Sequence, residues 1–184
     1  MKVIGITGTN ASGKDTAADY LKDKYGFKNY SLSDEIRFEA TQRGLPHERE
    51  NLRLIGNELR EKFAPNELAV RATRRITASG DNKVVVTSIR NPAEAEYLKN
   101  NFPGFKLIYV DAPVEMRHER SRARGRVGDG VNLDDFRAAE AKELEGGKTG
   151  QQLLKCQDMA DFEIINDGTL EKLFEKIEKV LSQI

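Results

Sequence analysis

Residues 8–16 read Gly8-Thr9-Asn10-Ala11-Ser12-Gly13-Lys14-Asp15-Thr16. An apolar run, Val3-Ile4-Gly5-Ile6, comes before this stretch, and a helical pattern from Thr16 to Tyr25 comes after it. A glycine, four residues and then Gly-Lys, set between a strand and a helix, is the phosphate-binding loop. The glycines let the backbone curl so that successive N–H groups converge on phosphate oxygens, and the lysine holds a positive charge over the terminal phosphates. A glycine turn that merely happened to precede a helix would not require the Gly13-Lys14 pair. Gly8, Asn10, Ala11, Ser12, Gly13 and Lys14 are therefore expected to cradle a polyphosphate, and Lys14 is the first candidate for a catalytic group.

One position departs from the motif. Asp15 stands where a Ser or Thr hydroxyl ordinarily meets Mg2+, and Thr16 follows it. A carboxylate beside a polyphosphate is repelled unless a cation lies between them, which makes Asp15 a candidate Mg2+ ligand, direct or through water. Thr16 competes for the role. A step of one residue turns a helical side chain by about 100°, so Thr16 would need a shifted loop register. Asp15 also suits the start of a helix, where the macrodipole favours an acid.

Outward from the loop, apolar runs at Val3–Thr7, Asn29–Leu32, Val84–Ile89, Leu107–Val110 and Phe162–Ile165 read as buried strands separated by helical patterns. That alternation predicts a three-layer α/β/α fold with a five-stranded parallel sheet. Leu170, Leu173, Phe174, Ile177, Val180, Leu181 and Ile184 form one apolar helical stripe, entered through Asp167-Gly168-Thr169. Between the second and third strands lie about fifty residues, too many for one crossover. Stripes at Leu52, Ile55, Leu59 and Phe63, and at Leu68, Ala72 and Ile76, predict a helical insertion over 33–82 within a single domain of 1–184. Asn91, Pro92 and Glu94 read as a helix cap, a first-turn proline and a first-turn acid.

The composition excludes several classes of function. Lys+Arg and Asp+Glu both number 30, so no global charge attracts nucleic acid or an anionic membrane. No apolar run approaches membrane-spanning length, and no signal-peptide pattern follows Met1, so a cytoplasmic protein is expected. The one cysteine, Cys156, sits among Leu153, Leu154 and Met159 and reads as a buried structural thiol. Val84-Val85-Val86-Thr87-Ser88 ends without an acid to hold Mg2+ or polarise water, which counts against a motor-type ATPase. Asn82-Lys83-Val84-Val85 lacks the fourth-place Asp of a guanine-reading sequence. His47 and His118 have no companion cysteines, so zinc is not supported.

Three further groups of residues suit a phosphotransfer site. Arg117, Arg120, Arg122, Arg124 and Arg126 form a basic run ahead of the glycine-rich Val127-Gly128-Asp129-Gly130, and 113–146 reads as a lid. Arg120 and Arg124 are one helical turn apart and share a face. Folded over the phosphates they would exclude water and stabilise the transferring group; without a phosphate loop nearby, the same run would read as a solvated face. Ser33-Asp34-Glu35-Ile36-Arg37 follows the second strand like an N-cap with first-turn acids. Ligands of a parallel sheet bind at the strands' C-terminal edge, so Asp34 and Arg37 are placed to meet an acceptor, Asp34 to orient its oxygen or accept its proton. Arg60 and Arg90 offer planar guanidinium groups for an acceptor phosphate. Arg60 could equally pair with Glu58 or Glu61, and Arg71, Arg74 and Arg75 read as solvated.

Together, residues 8–16, Ser33–Arg37, Arg90 and the arginine lid resemble the nucleoside monophosphate kinase-like branch of P-loop kinases, over nearly the whole chain. The order Asp-x-Ile-Arg, Gly-x-x-Leu-Arg, strand-Ile-Arg, lid and Ile-Asn-Asp-Gly is most similar to small proteins related to dephospho-CoA kinase. The Gly-Lys-Asp-Thr variant is similar to phage deoxynucleoside monophosphate kinases. The resemblance implies a P-loop NTPase fold, ATP and Mg2+ as cosubstrate and cofactor, and a nucleotide-like small molecule as phosphate acceptor. It places ATP phosphates on Gly8 to Lys14, the acceptor on Asp34, Arg37 and Arg90, and the lid contacts on Arg120, Arg124 and Arg126. It also implies that Asn166, Asp167 and Gly168 border the adenine. Relatives commonly carry Asp-Gly where this chain has Thr87-Ser88, and Asp15 is expected to compensate. A monophosphate acceptor would attack through its own phosphate, whereas a ribose hydroxyl would need Asp34 as base. A nucleotide sensor without turnover is the reading from a different class. Acceptor identity and oligomeric state stay open.

Overall fold

The five apolar runs form one parallel sheet because each is short, rich in β-branched residues and bounded by turn or helix signals. A computed structural model describes residues 1–125 and 132–184. The strands are β1 (Lys2–Gly8), β2 (Lys28–Ser31), β3 (Lys83–Thr87), β4 (Lys106–Asp111) and β5 (Phe162–Ile165), in the spatial order β2-β3-β1-β4-β5. Ile4 of β1 lies opposite Val85 and Lys106, and Gly8 opposite Val110. β1 is thus central, and the loop that leaves it opens where the connections diverge to either side.

Among the described residues the helices are α1 (Lys14–Tyr25), α2 (Leu32–Gln42), α3 (Arg49–Lys62), α4 (Glu67–Ser79), α5 (Pro92–Asn101), α6 (Val114–Arg124), α7 (Leu133–Leu144), α8 (Leu153–Asp158) and α9 (Leu170–Leu181). Successive strand residues point to opposite faces, so Val84 and Val86 join Leu32, Ile55, Leu59, Leu68 and Leu98 in one core. Val85 joins Ile4, Ile6, Leu21, Leu173 and Ile177 in the other. Burying a Leu or Ile side chain contributes about 1.5–3 kcal/mol, and the two cores clamp the sheet between helical layers. This is an α/β P-loop NTPase fold.

Several local expectations are met. Asn91 accepts a hydrogen bond from the Ala93 N–H, and Glu94 reaches back to the Asn91 N–H, which closes a capping box at α5. Burial pushes the Cys156 thiol up to about 12, as an inert core thiol requires. Tyr20 of α1 stacks on Phe174 of α9 with ring centroids 4.0 Å apart, and its hydroxyl donates to Glu178, so α1 is anchored behind the loop it carries. No helix among the described residues is long and apolar enough to cross a membrane.

Others are corrected. α2 starts at Leu32, so Ser31 and not Ser33 occupies the cap position; its hydroxyl bonds Ser88 across the sheet edge at 3.0 Å. Phe63 ends α3 in solvent, against Lys62 and Arg71. Leu170, in the first turn of α9, is exposed, and only Leu173, Ile177 and Val180 of its stripe are buried. α2, α3 and α4 lie between β2 and β3, in the span read as an insertion over 33–82, and α6 and α7 lie within 113–146.

Candidate nucleotide and acceptor site

The loop after β1 is curled by three residues with positive φ, Gly8 at 134°, Ala11 at 58° and Gly13 at 100°. Two of these must be glycine. A Cβ on Gly8 would stand 1.9 Å from the Val110 carbonyl oxygen, and one on Gly13 would lie 2.4 Å from Asn166 Nδ2. Asn166 follows β5 and donates to the Ser12 carbonyl at 2.8 Å, so the far strand braces the loop. Thr9 bonds Asp111 at the end of β4. β3 ends in Thr87-Ser88, with Thr87 donating to Asn29 at 3.0 Å, so the carboxylate tied to the loop comes from β4 instead.

α1 begins at Lys14 with no side chain capping it. Its first N–H groups therefore face outward, and with the helix dipole they make an anion site. Ser12 is fully buried, yet its Oγ finds no partner among the described residues. Lys14 donates to the Thr9 carbonyl. Burial, and then the charge of Arg90, lower its pKa to about 8. An uncapped helix start, an orphaned hydroxyl and an amine whose proton affinity burial depresses all fit a polyphosphate.

Asp15 is exposed and Thr16 half-buried in the first turn of α1. No group of three His, Cys, Asp or Glu able to hold a metal occurs among the described residues. Mg2+ held here would take one or two protein oxygens and otherwise phosphate and water, which is its usual habit.

Arg120 and Arg124 do share a face, and it is turned to the loop. Arg120 donates to the Asn166 carbonyl at 3.2 Å, and Arg124 to Asn10 Oδ1 at 3.1 Å. Arg117, part of the same basic run, is structural. It is buried, donates to the Ala112 carbonyl and holds both oxygens of Glu140, which ties α6 to α7. Arg126 and the Val127–Gly130 run lie outside the described residues. Asp167 pairs with Lys176 in solvent beside Asn166 and Gly168.

Next to the loop opens a cavity of about 600 Å3 walled by α2, α3, α7 and the end of β3. Asn10 and Arg124 line it from the loop side, Ser33 and Arg37 from α2, and Arg90 from the edge of β3. Asp34 is not on its wall; it is half-exposed and holds Arg37 at 2.9 Å. Arg60 reaches the wall, but it is only 3% exposed and is bound by Glu94, not by Glu58 or Glu61. Glu58 is engaged by Arg43. Arg71 pairs with Glu67 and Glu39 and is largely covered rather than solvated, and the half-exposed Arg75 pairs with Glu35; none of these residues lines the cavity.

The sequence reading missed Arg49, Arg53, Glu143 and Gln151. Arg49, Arg53, Gly56 and Arg60 all line the cavity at the i, i+4, i+7, i+11 spacing of one helical face. That spacing is legible in the sequence. Glu143 on α7 accepts from Arg49 at 2.6 Å and lies 3.7 Å from Arg90, which also donates to Gln151. No local pattern announces Glu143.

From β1 through α7, residues 4–143 match the AAA domain family. The chain belongs to that family. Its relatives include a UPF0200/UPF0201 protein of Archaeoglobus fulgidus, 35% identical over the whole chain, although the chain spans only 56% of that protein's length. UPF0200 proteins of Methanothrix thermoacetophila and Pyrococcus abyssi are 34% and 32% identical, with 98% and 96% of their lengths covered. Among solved structures, a shikimate kinase from Acinetobacter baumannii bound to shikimate matches at TM-score 0.60 and 19% identity, covering 100% of this chain and 94% of that one. A shikimate kinase from Bacteroides thetaiotaomicron matches at TM-score 0.61 and 13% identity, covering 99% and 97%. These likenesses establish a P-loop kinase fold.

Proposed function

We propose that the protein transfers the terminal phosphoryl group of ATP, with Mg2+, to an anionic, nucleotide-like small molecule held between α2, α3 and α7. One observation carries this reading: Asn10 of the phosphate loop and Arg124 line the same cavity as Arg37, Arg60 and Arg90, so the loop and an arginine-walled cavity share one space. Gly8 and Asn10 to Lys14 would hold the phosphates, with Asn166, Asp167 and Gly168 bordering the base. Mg2+ on Asp15 or Thr16 would supply charge neutralisation. Lys14, Arg120 and Arg124 would stabilise the phosphoryl group in flight, joined by Arg126 in this proposal. Arg37, Arg60 and Arg90 would grip the acceptor's anionic group together with Arg49 and Arg53, while Asp34 orients Arg37.

The family resemblance leaves two acceptors, a (deoxy)nucleoside monophosphate or a hydroxyl-bearing nucleotide such as dephospho-CoA. The Glu143 carboxylate on the cavity wall favours the second. A coupled assay with MgATP and a panel of AMP, dAMP, CMP and dephospho-CoA tests the reading, with turnover of about 1–100 per second expected on the right acceptor. Heat on MgATP titration without product from any acceptor would instead support a nucleotide sensor.

A further inference from the structure

We propose that Glu143 accepts the proton of an acceptor hydroxyl, so that the nucleophile is a hydroxyl and the product a phosphate monoester. This rests on the kinase reading above and narrows it. Glu143 lies on the cavity wall and is 7% exposed. Its Oε1 is held by Arg49 and lies 3.7 Å from Arg90, while no described residue donates a hydrogen bond to Oε2. One oxygen is therefore fixed and the other is without a described donor.

The electrostatics agree with that geometry. Burial raises the pKa of Glu143, but Arg90, Arg49 and Lys14 together overcome it and hold the carboxyl below its ordinary range. Glu143 is thus ionised, and close enough to Lys14 for each charge to move the other's proton affinity. A fixed carboxylate in that place repels an attacking phosphate and attracts a hydroxyl proton. The other carboxylates of this region are placed differently: Asp34 is off the wall on Arg37, Glu48 is exposed on the cavity's rim, and Asp15 is exposed in the first turn of α1, also off the wall.

In the step, the acceptor O–H bond breaks and its proton passes to Glu143 Oε2. The oxygen's electron pair forms the bond to the terminal phosphorus of ATP, and the pair of the broken P–O bond leaves with ADP. A loose transition state keeps the proton on the nucleophile until late, so a carboxylate of low proton affinity suffices. The proton is then lost to water.

The test uses the full chain with MgATP and, as probes, dephospho-CoA and AMP, with products read by phosphorus NMR. A new monoester resonance is expected. Glu143→Gln, whose amide oxygen can still accept from Arg49, should lower kcat by about 10²–10⁴-fold and leave KM for MgATP within about threefold. Glu143→Asp, which restores a carboxylate, should recover at least about tenfold of that loss. An anhydride product overturns this inference while leaving the kinase reading intact. So does a monoester whose rate survives Glu143→Gln, or an equal loss in both variants accompanied by a raised KM for MgATP. No product from the unaltered chain with either probe overturns both.

Discussion

Glu94→Gln tests how the acceptor cavity is held together. Glu94 is fully buried, and its two oxygens have separate duties. Oε1 accepts from Arg60 Nε at 2.9 Å and lies 2.8 Å from Nη2, and Oε2 accepts from the backbone N–H groups of Arg90 and Asn91 at 2.9 and 3.1 Å. An amide can keep the backbone duty through its oxygen. Its NH2 then faces the Arg60 guanidinium, donor against donor, with a buried charge left uncompensated. Breaking a buried pair in this way costs about 3–5 kcal/mol. A chain of this length loses about 2–4 °C in Tm per kcal/mol, so calorimetry should show a fall of roughly 6–20 °C. Arg60→Met should cost less than Glu94→Gln, since it leaves a carboxyl that can protonate. The double variant should recover part of the sum, because no buried cation remains. A loss under about 1 kcal/mol for Glu94→Gln, or strict additivity in the cycle, would falsify the account of a shared buried pair.

Three further perturbations bear on the loop. Lys14 titrates at about 8 in the folded chain against 10.5 ordinarily, so its burial penalty is full below about pH 8 and is relieved as the folded state alone sheds the proton between those values. Phosphates restore the proton, so MgATP binding above pH 8 should take up protons and weaken as pH rises; equal titration heats in buffers of different ionisation enthalpy would count against this. Gly13→Ala forces a Cβ into Asn166 at φ +100°, strain that should weaken MgATP at least about tenfold and lower Tm by roughly 2–12 °C. Affinity within twofold of the unaltered chain would show that the brace is dispensable. Asp15→Asn should shift the Mg2+ midpoint of the rate upward by about tenfold or more, and an unmoved midpoint would leave Asp15 as a helix-start acid only.

The sequence determined the parts whose cause is local. Gly8, Gly13 and Lys14 announce the loop because a curl of backbone N–H groups needs those residues within one short stretch. Val84, Val85 and Val86 announce a buried strand, and Asn91-Pro92 with Glu94 a helix start, because period and capping act over neighbours. Only the tertiary structure decided which charges meet. Arg60 finds Glu94, 34 residues away, and Arg49 finds Glu143, 94 residues away. It also set Asn166 against Gly13 and withdrew Asp34 from the cavity wall. An arginine's long, mobile side chain carries no preference for one carboxylate over another until packing removes water from both. At that point desolvation makes one pairing far cheaper than the rest, and packing, not spacing along the chain, selects it.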